Sequence, residues 1–325
     1  STEEAQEEKD PLIPEIDTSV ELQAGSRVAV VSKSTSGEFW GLVKKGMEQA
    51  IADVNEAYGF KKEDQVTMTF EGASDEKDVE SQVNTIDAVI AENPDVLCVS
   101  ASDMDSLQAQ LEAAKENGIP VVAFDSGVTD SKMIRAFRGT DNTRVGEIAA
   151  YRLATAIGKM GKVAVFSAQE KTQSIQERVS GFTNYITNYP DIEVVEIVYQ
   201  DQVEDMTAAM QEVLDKYPQL DGVFCDNADI ADLYLDMKKD ETKDSIVMVG
   251  VDATAKQQEA IRNSKEVGVV SQQPYAMGYQ TIWTALLTTA PKKSVEIKRN
   301  VRIDPAWIDS SNIDDPTYSS YLYAN

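Results

Sequence analysis

Seven apolar runs in this chain stop abruptly at a polar or acidic residue, and that construction points to a narrow set of folds. The run 119–124 ends in Val121, Val122, Ala123 and Phe124, then meets Asp125 and Ser126, with Gly118 and Gly127 on either side. A strand buried on both faces of a parallel sheet reads this way as it reaches the sheet edge. The same passage recurs from Val31 to Ser32, Val99 to Ser100, Phe166 to Ser167, Cys225 to Asp226 and Asn227, Val251 to Asp252, and Val270 to Ser271 and Gln272. Between the runs stand helical patterns, such as Val43, Met47, Ala50 and Val54, or Val79, Val83, Ile86 and Ile90. Alternating strands and helices of this length imply right-handed βαβ units around parallel sheets. In open sheets of that kind ligands bind outside the carboxyl ends of the strands. Function therefore has to be sought at the residues that end the runs.

At 325 residues the chain exceeds one ordinary domain. The pattern restarts near Gly139, Thr140, Asp141 and Asn142, and a second strand and helix series follows. The expected fold is α/β, with two doubly wound parallel-sheet lobes facing each other across a cleft. Residues 26–140 with 273–303 would form the first lobe, and 141–272 with 304–325 the second. Residues 1–25 are acidic, carry Pro11 and Pro14, and are expected to be a disordered leader or tether.

Composition removes several functions. There are 30 Lys and Arg against 56 Asp and Glu, a formal charge of -26, which repels nucleic acid and anionic lipid. Histidine is absent, and with it the Ser-His-Asp and Cys-His nucleophile systems and the commonest transition-metal ligand. Cys98 and Cys225 lie inside apolar runs in different halves and read as small core residues. Asp103 and Asp105 begin like a calcium loop but lack its glycine and distal glutamate, so they read as charges on a helix start, and neither metal nor cofactor is expected. No run reaches the roughly 20 apolar residues of a membrane span.

Several of the candidate residues have structural readings of their own. Asp125 and Asp252 follow strands and suit helix caps, and Asn227 suits a turn. Arg178 fits a helix surface, Gln272 before Gln273 and Pro274 fits a crossover, and the adjacent aromatics Phe39 and Trp40 fit a core. Their shared position at strand exits and helix starts also suits a polyhydroxylated ligand. A sugar hydroxyl both donates and accepts, and the ring's C–H faces match aromatic faces.

Taken in order, Phe39-Trp40, Phe124-Asp125, Gly139-Thr140-Asp141-Asn142, Arg178 with Gly181-Phe182, Asp226-Asn227, Val249-Gly250-Val251-Asp252 and Gln272 with Pro274 resemble the periplasmic sugar-binding proteins of the ribose-binding type. That family shares its fold, periplasmic binding protein type I, with the effector domains of lac-repressor-type regulators. The resemblance runs from about Ser26 to Ile303. It implies that Phe39 and Trp40 wall a sugar ring and that Asp125, Arg178, Asn227, Asp252 and Gln272 hydrogen-bond its hydroxyls. The pattern departs from ribose binding at Gly37, where an asparagine stands in the family, at Ser126 for an arginine, at Val251 for a phenylalanine, and near Asp201 and Gln202 for a further aromatic. Ser126 and Asp201 are counted with the pocket, and Lys33 and Gln169 are added as residues facing the same space. The departures imply a roomier pocket that takes a hexose, another pentose, a polyol or a small glycoside.

The function this resemblance implies is a solute receptor that closes on its sugar by a hinge at three crossovers and delivers it to an ABC permease. It would be a monomer outside the cytoplasm, either free or tethered by a lipid on a segment ahead of Ser1. Three rivals stand beside it. A regulator's effector domain needs a DNA-binding part where the acidic leader stands. A sensor lobe for a chemoreceptor or kinase has the same residues, and an enzyme using Asp125 and Asp252 as acid and base would turn over a glycoside.

Overall fold

The protein is described by a computed structural model over residues 10–241, 244–291 and 294–324. Two six-stranded sheets each carry helices on both faces. The first is built from β1 (Arg27–Val31), β2 (Thr67–Glu71), β3 (Val96–Val99), β4 (Val121–Phe124), β5 (Ala136–Thr140) and β11 (Asn300–Ile303). Its spatial order is β11-β5-β4-β3-β1-β2. The second holds β6 (Gly161–Ser167), β7 (Ile192–Tyr199), β8 (Gly222–Cys225), β9 (Val247–Val251), β10 (Gly268–Ser271) and β12 (Ala306–Ile308), in the order β12-β10-β9-β8-β6-β7. Every neighbouring pair runs parallel except β10 and β12. In both sheets the order reverses beside the first strand, which opens a crevice at that point.

The side chains explain these positions. The central strands β3, β4 and β8 are apolar and buried at every residue, whereas β2 alternates between exposed and half-buried positions as an edge strand does. β5 is buried throughout although Arg138 interrupts its apolar run. The guanidinium is satisfied by the carbonyls of Phe137 and Lys298, both 2.8 Å from Nη1.

The helices of the first sheet are α1 (Glu38–Tyr58), α2 (Val79–Ala91), α3 (Gln108–Glu116) and α9 (Pro274–Leu287). Those of the second are α4 (Asn142–Ala156), α5 (Gln173–Ile186), α6 (Met206–Lys216), α7 (Ala228–Met237) and α8 (Ala255–Arg262). The α4–α5 pair packs backbone against backbone. A Cβ on Gly146 would fall on the carbonyl of Arg178, and one on Gly181 on the carbonyl of Thr143. The chain passes between the sheets three times, after Thr140, after Ser271 and after Ile303.

Two expectations need correction. Residues 10–25 are not a loose leader: Val20 and Leu22 are buried in the first lobe's core, and the Tyr58 hydroxyl donates to the carbonyls of Asp17 and Val20 at 2.9 and 2.6 Å. The rest of that leader, 1–9, lies outside the described residues. Asp103 and Asp105 do not start a helix, because α3 begins at Gln108; Asp103 instead accepts from the Asp105 N–H, and Asp105 from the Thr129 hydroxyl. Both cysteines are buried and free.

Candidate functional site

The carboxyl ends of the two sheets face each other around a cavity of about 200 Å³. Asp125 leaves β4 and Asp252 leaves β9, equivalent strands of the two lobes. Each adopts a left-handed backbone, φ 62° and 79°, that aspartate tolerates better than most residues. Each still donates its N–H to the adjoining strand at 2.9 Å, to the carbonyl of Arg138 or of Val270. This turn at the end of each strand aims both carboxylates inward from opposite sides, and both side chains line the cavity.

Their loads differ. Oδ2 of Asp125 receives the Ser100 hydroxyl at 2.6 Å and Lys33 Nζ at 2.7 Å, while Oδ1 has no partner among the described residues. Asp252 accepts from Gln272 Nε2 at 2.7 Å and the Tyr323 hydroxyl at 2.6 Å on Oδ1, and from the Ala228 N–H at 2.8 Å on Oδ2. Arg178 is buried on α5. Its Nε donates to Asn142 and its Nη1 to the carbonyl of Asp226, both at 2.9 Å, leaving Nη2 unbonded among the described residues. Asn227 caps α7 by accepting from Ile230, which leaves its Nδ2 available. The amide of Gln169 lines the same cavity with no side-chain hydrogen bond among the described residues. Gln272 spans the second crossover, accepting from Thr140 and donating to Asp252, both at 2.7 Å.

Phe39 and Trp40 form the apolar wall, edge to face with centroids 4.9 Å apart. Trp40 is also core: it is buried against Phe124, and its Nε1 donates to Glu76 at 3.0 Å. Gly37, with φ 93°, precedes α1 and lines the mouth. Two of the expected residues stand elsewhere. Ser126 is buried behind the cavity and bonds Ser174 at 2.6 Å, and Asp201 is exposed, accepting from the Glu170 N–H at 3.2 Å.

Residues that sequence reasoning missed complete the mouth. Glu76, Asp229 and Asp232 line it, and burial pushes the Glu76 carboxyl up to about 7 and that of Asp232 up to about 6. Asp229 and Asp232 sit three apart at the start of α7, a spacing that reads as an ordinary helix face; Glu76 lies in a turn with no periodicity. Hydrogen bonds also cross the cleft directly: the Thr172 hydroxyl donates to the Ser102 carbonyl at 2.5 Å, and the N–H groups of Met104 and Gly127 donate to the second lobe at 2.8 Å.

Fold and site together define a class: two doubly wound α/β lobes, joined by three crossovers, with a small polar cavity between their sheet ends. Residues 28–290 match the periplasmic binding protein domain, and the chain belongs to that family. It is 27% identical over 203 residues to the ribose import binding protein RbsB of Bacillus subtilis, covering 62% of this chain and 66% of that one. It is also 27% identical over 216 residues to the D-ribose/D-allose-binding protein of Pseudomonas aeruginosa, covering 63% of each. The chain thus spans just under two-thirds of these curated relatives. A solved ABC transporter solute binding protein from Agrobacterium vitis with bound D-fucose superposes with a TM-score of 0.82 at 28% identity, covering 92% of this chain and 100% of that chain.

Proposed function

We propose that this protein is an extracytoplasmic solute-binding protein that captures one uncharged monosaccharide or small polyol and delivers it to an ABC transporter permease. The observation that carries the reading is the set of unfilled hydrogen-bonding positions around one cavity. Acceptors stand open on Asp125 and Gln169, and donors on Arg178, Asn227 and Gln169, beside an aromatic wall. A ring of hydroxyls fills both kinds at once. Hydrogen bonds to charged groups contribute about 1.5–3 kcal/mol each, so a handful reaches the roughly 8 kcal/mol of micromolar binding. The cavity is smaller than the roughly 300–1,000 Å³ of drug-sized pockets, which suits a single ring.

Charge narrows the choice. Glu38, Glu76, Asp125, Asp229, Asp232 and Asp252 line the cavity against Lys33 and Arg178, so sugar phosphates and uronates are disfavoured. Residues 26–140 with 273–303, and 141–272 with 304–325, move as the two lobes, and the three crossovers form the hinge. Hinge closure around a ligand is a general property of periplasmic binding proteins. A ligand touching both lobes favours the shut form by its differential affinity, and the shut form is what the permease reads. The protein acts as a monomer without enzymatic turnover, either free in the periplasm or lipid-anchored on the outer face of the cell membrane. A thermal-shift screen over pentoses, hexoses, inositols, uronates and sugar phosphates tests the reading. A neutral sugar should raise the melting temperature by mass action; no response to any neutral sugar would refute it.

A further inference from the structure

Residues 316–324 pack against the second lobe beside Asp252, a side chain that lines the cavity. After a 3₁₀ turn at Pro316–Tyr321, the Ser271 hydroxyl donates to the Tyr321 carbonyl at 2.5 Å, and Gln258 Nε2 donates to the Ala324 carbonyl at 3.0 Å. Between these pins the Tyr323 N–H donates to the Ala253 carbonyl at 3.1 Å. Tyr323 is buried, and its ring lies 6.0 Å from Phe39 of the opposite lobe. Its hydroxyl donates to Asp252 and accepts from the Gln272 N–H at 3.3 Å, at the second crossover. Burial and the Asp252 carboxylate beside it push the phenol well up, so it stays a donor. The family match stops at residue 290, so it assigns nothing to this tail.

A carboxylate offers about four acceptor positions. On Asp252, Gln272 and Tyr323 fill the two on Oδ1 and Ala228 fills one on Oδ2. We infer that the C-terminal tail is part of the ligand site and that Tyr323 is a positioning residue, which fixes Asp252 so that it accepts a single ligand hydroxyl in one direction. Asp125, with Oδ1 open, is free to accept two. The tail thereby sets how strictly the second lobe distinguishes one sugar epimer from another. This inference rests on the sugar-binding reading given above.

The test is Tyr323→Phe, which keeps the ring and removes only the hydroxyl. Both proteins are titrated calorimetrically with every sugar the wild type binds, including epimer pairs. Loss of one hydrogen bond to Asp252 should weaken the best sugar about fivefold to tenfold. The affinity ratio between epimers should narrow, and the melting temperature without sugar should stay near wild type. Ser271→Ala, which frees the Tyr321 carbonyl and loosens the tail outside the cavity, should weaken the same sugars in the same order. Unchanged affinities and ratios in Tyr323→Phe would overturn the inference. So would an equal loss for all sugars with a lowered unliganded melting temperature, the mark of a merely structural residue. Sugar binding absent from the wild type would overturn this inference together with the proposed function.

Discussion

Asp226 offers a direct test of how the second lobe holds a buried acid. The side chain is fully buried, with the Ser167 hydroxyl donating to Oδ2 and the Ala168 N–H to Oδ1 at 3.2 Å. Burial pushes its carboxyl from 3.8 up to about 7, against the opposing pull of the Ser167 bond and Arg178. Between those limits the native protein keeps a proton that the unfolded chain releases, so stability falls as pH rises through that window. The displacement of about three pH units, at about 1.4 kcal/mol each, makes the charged native form about 4 kcal/mol less stable than a neutral one. Asp226→Asn removes the titration and keeps the contacts, since the amide oxygen accepts from Ala168 and the amide nitrogen donates to Ser167. Urea unfolding of both proteins from pH 4 to pH 8 isolates this group from every other titrating residue. The variant's stability relative to wild type should climb by about 4 kcal/mol across that range and level off above pH 7. A difference independent of pH would mean that Asp226 is ionised throughout, and the reasoning would be refuted.

Two further outcomes follow from the packing around the site. Gly146→Ala forces α4 away from the α5 backbone at Arg178, an overpacking of about 1–3 kcal/mol; thermal unfolding should show the loss and calorimetry a weaker sugar, and unchanged affinity would mean the guanidinium did not move. Sugar binding should change the fluorescence of Trp40, which lines the cavity, and Trp40→Phe should abolish the change although Trp283 and Trp307 remain; a signal that survives would come from another indole.

The central strands were legible because burial on both faces demands apolar runs, and β3, β4 and β8 show such runs without interruption. β5 was hidden because Arg138 breaks the pattern, and the carbonyl of Lys298 that satisfies it lies 160 residues away in sequence. β12 is three residues long and antiparallel to β10, too short for a period to show. The leader misled for a related reason: two apolar side chains, Val20 and Leu22, are enough to dock it once Tyr58 supplies hydrogen bonds to its backbone. Each miss is a long-range contact, and local composition carries no trace of it.

For the candidate site, sequence located the side chains but not what they are free to do. Asp125 and Asp252 stood out as strand-end acids in both halves, and the same left-handed turn aims both inward. The two acids nonetheless have unequal remaining capacity. Lys33 and Ser100 crowd one oxygen of Asp125 and leave the other open, while Tyr323, Gln272 and Ala228 nearly fill Asp252. Those partners come from five different segments of chain, and one of them, Tyr323, lies 71 residues from its acid. Ser126 and Asp201 show the converse, since residues near the right strand ends are spent on Ser174 and Glu170 instead. A ligand meets only the capacity left over after internal bonding, so selectivity is decided by the partners of the strand-end acids as much as by the acids themselves.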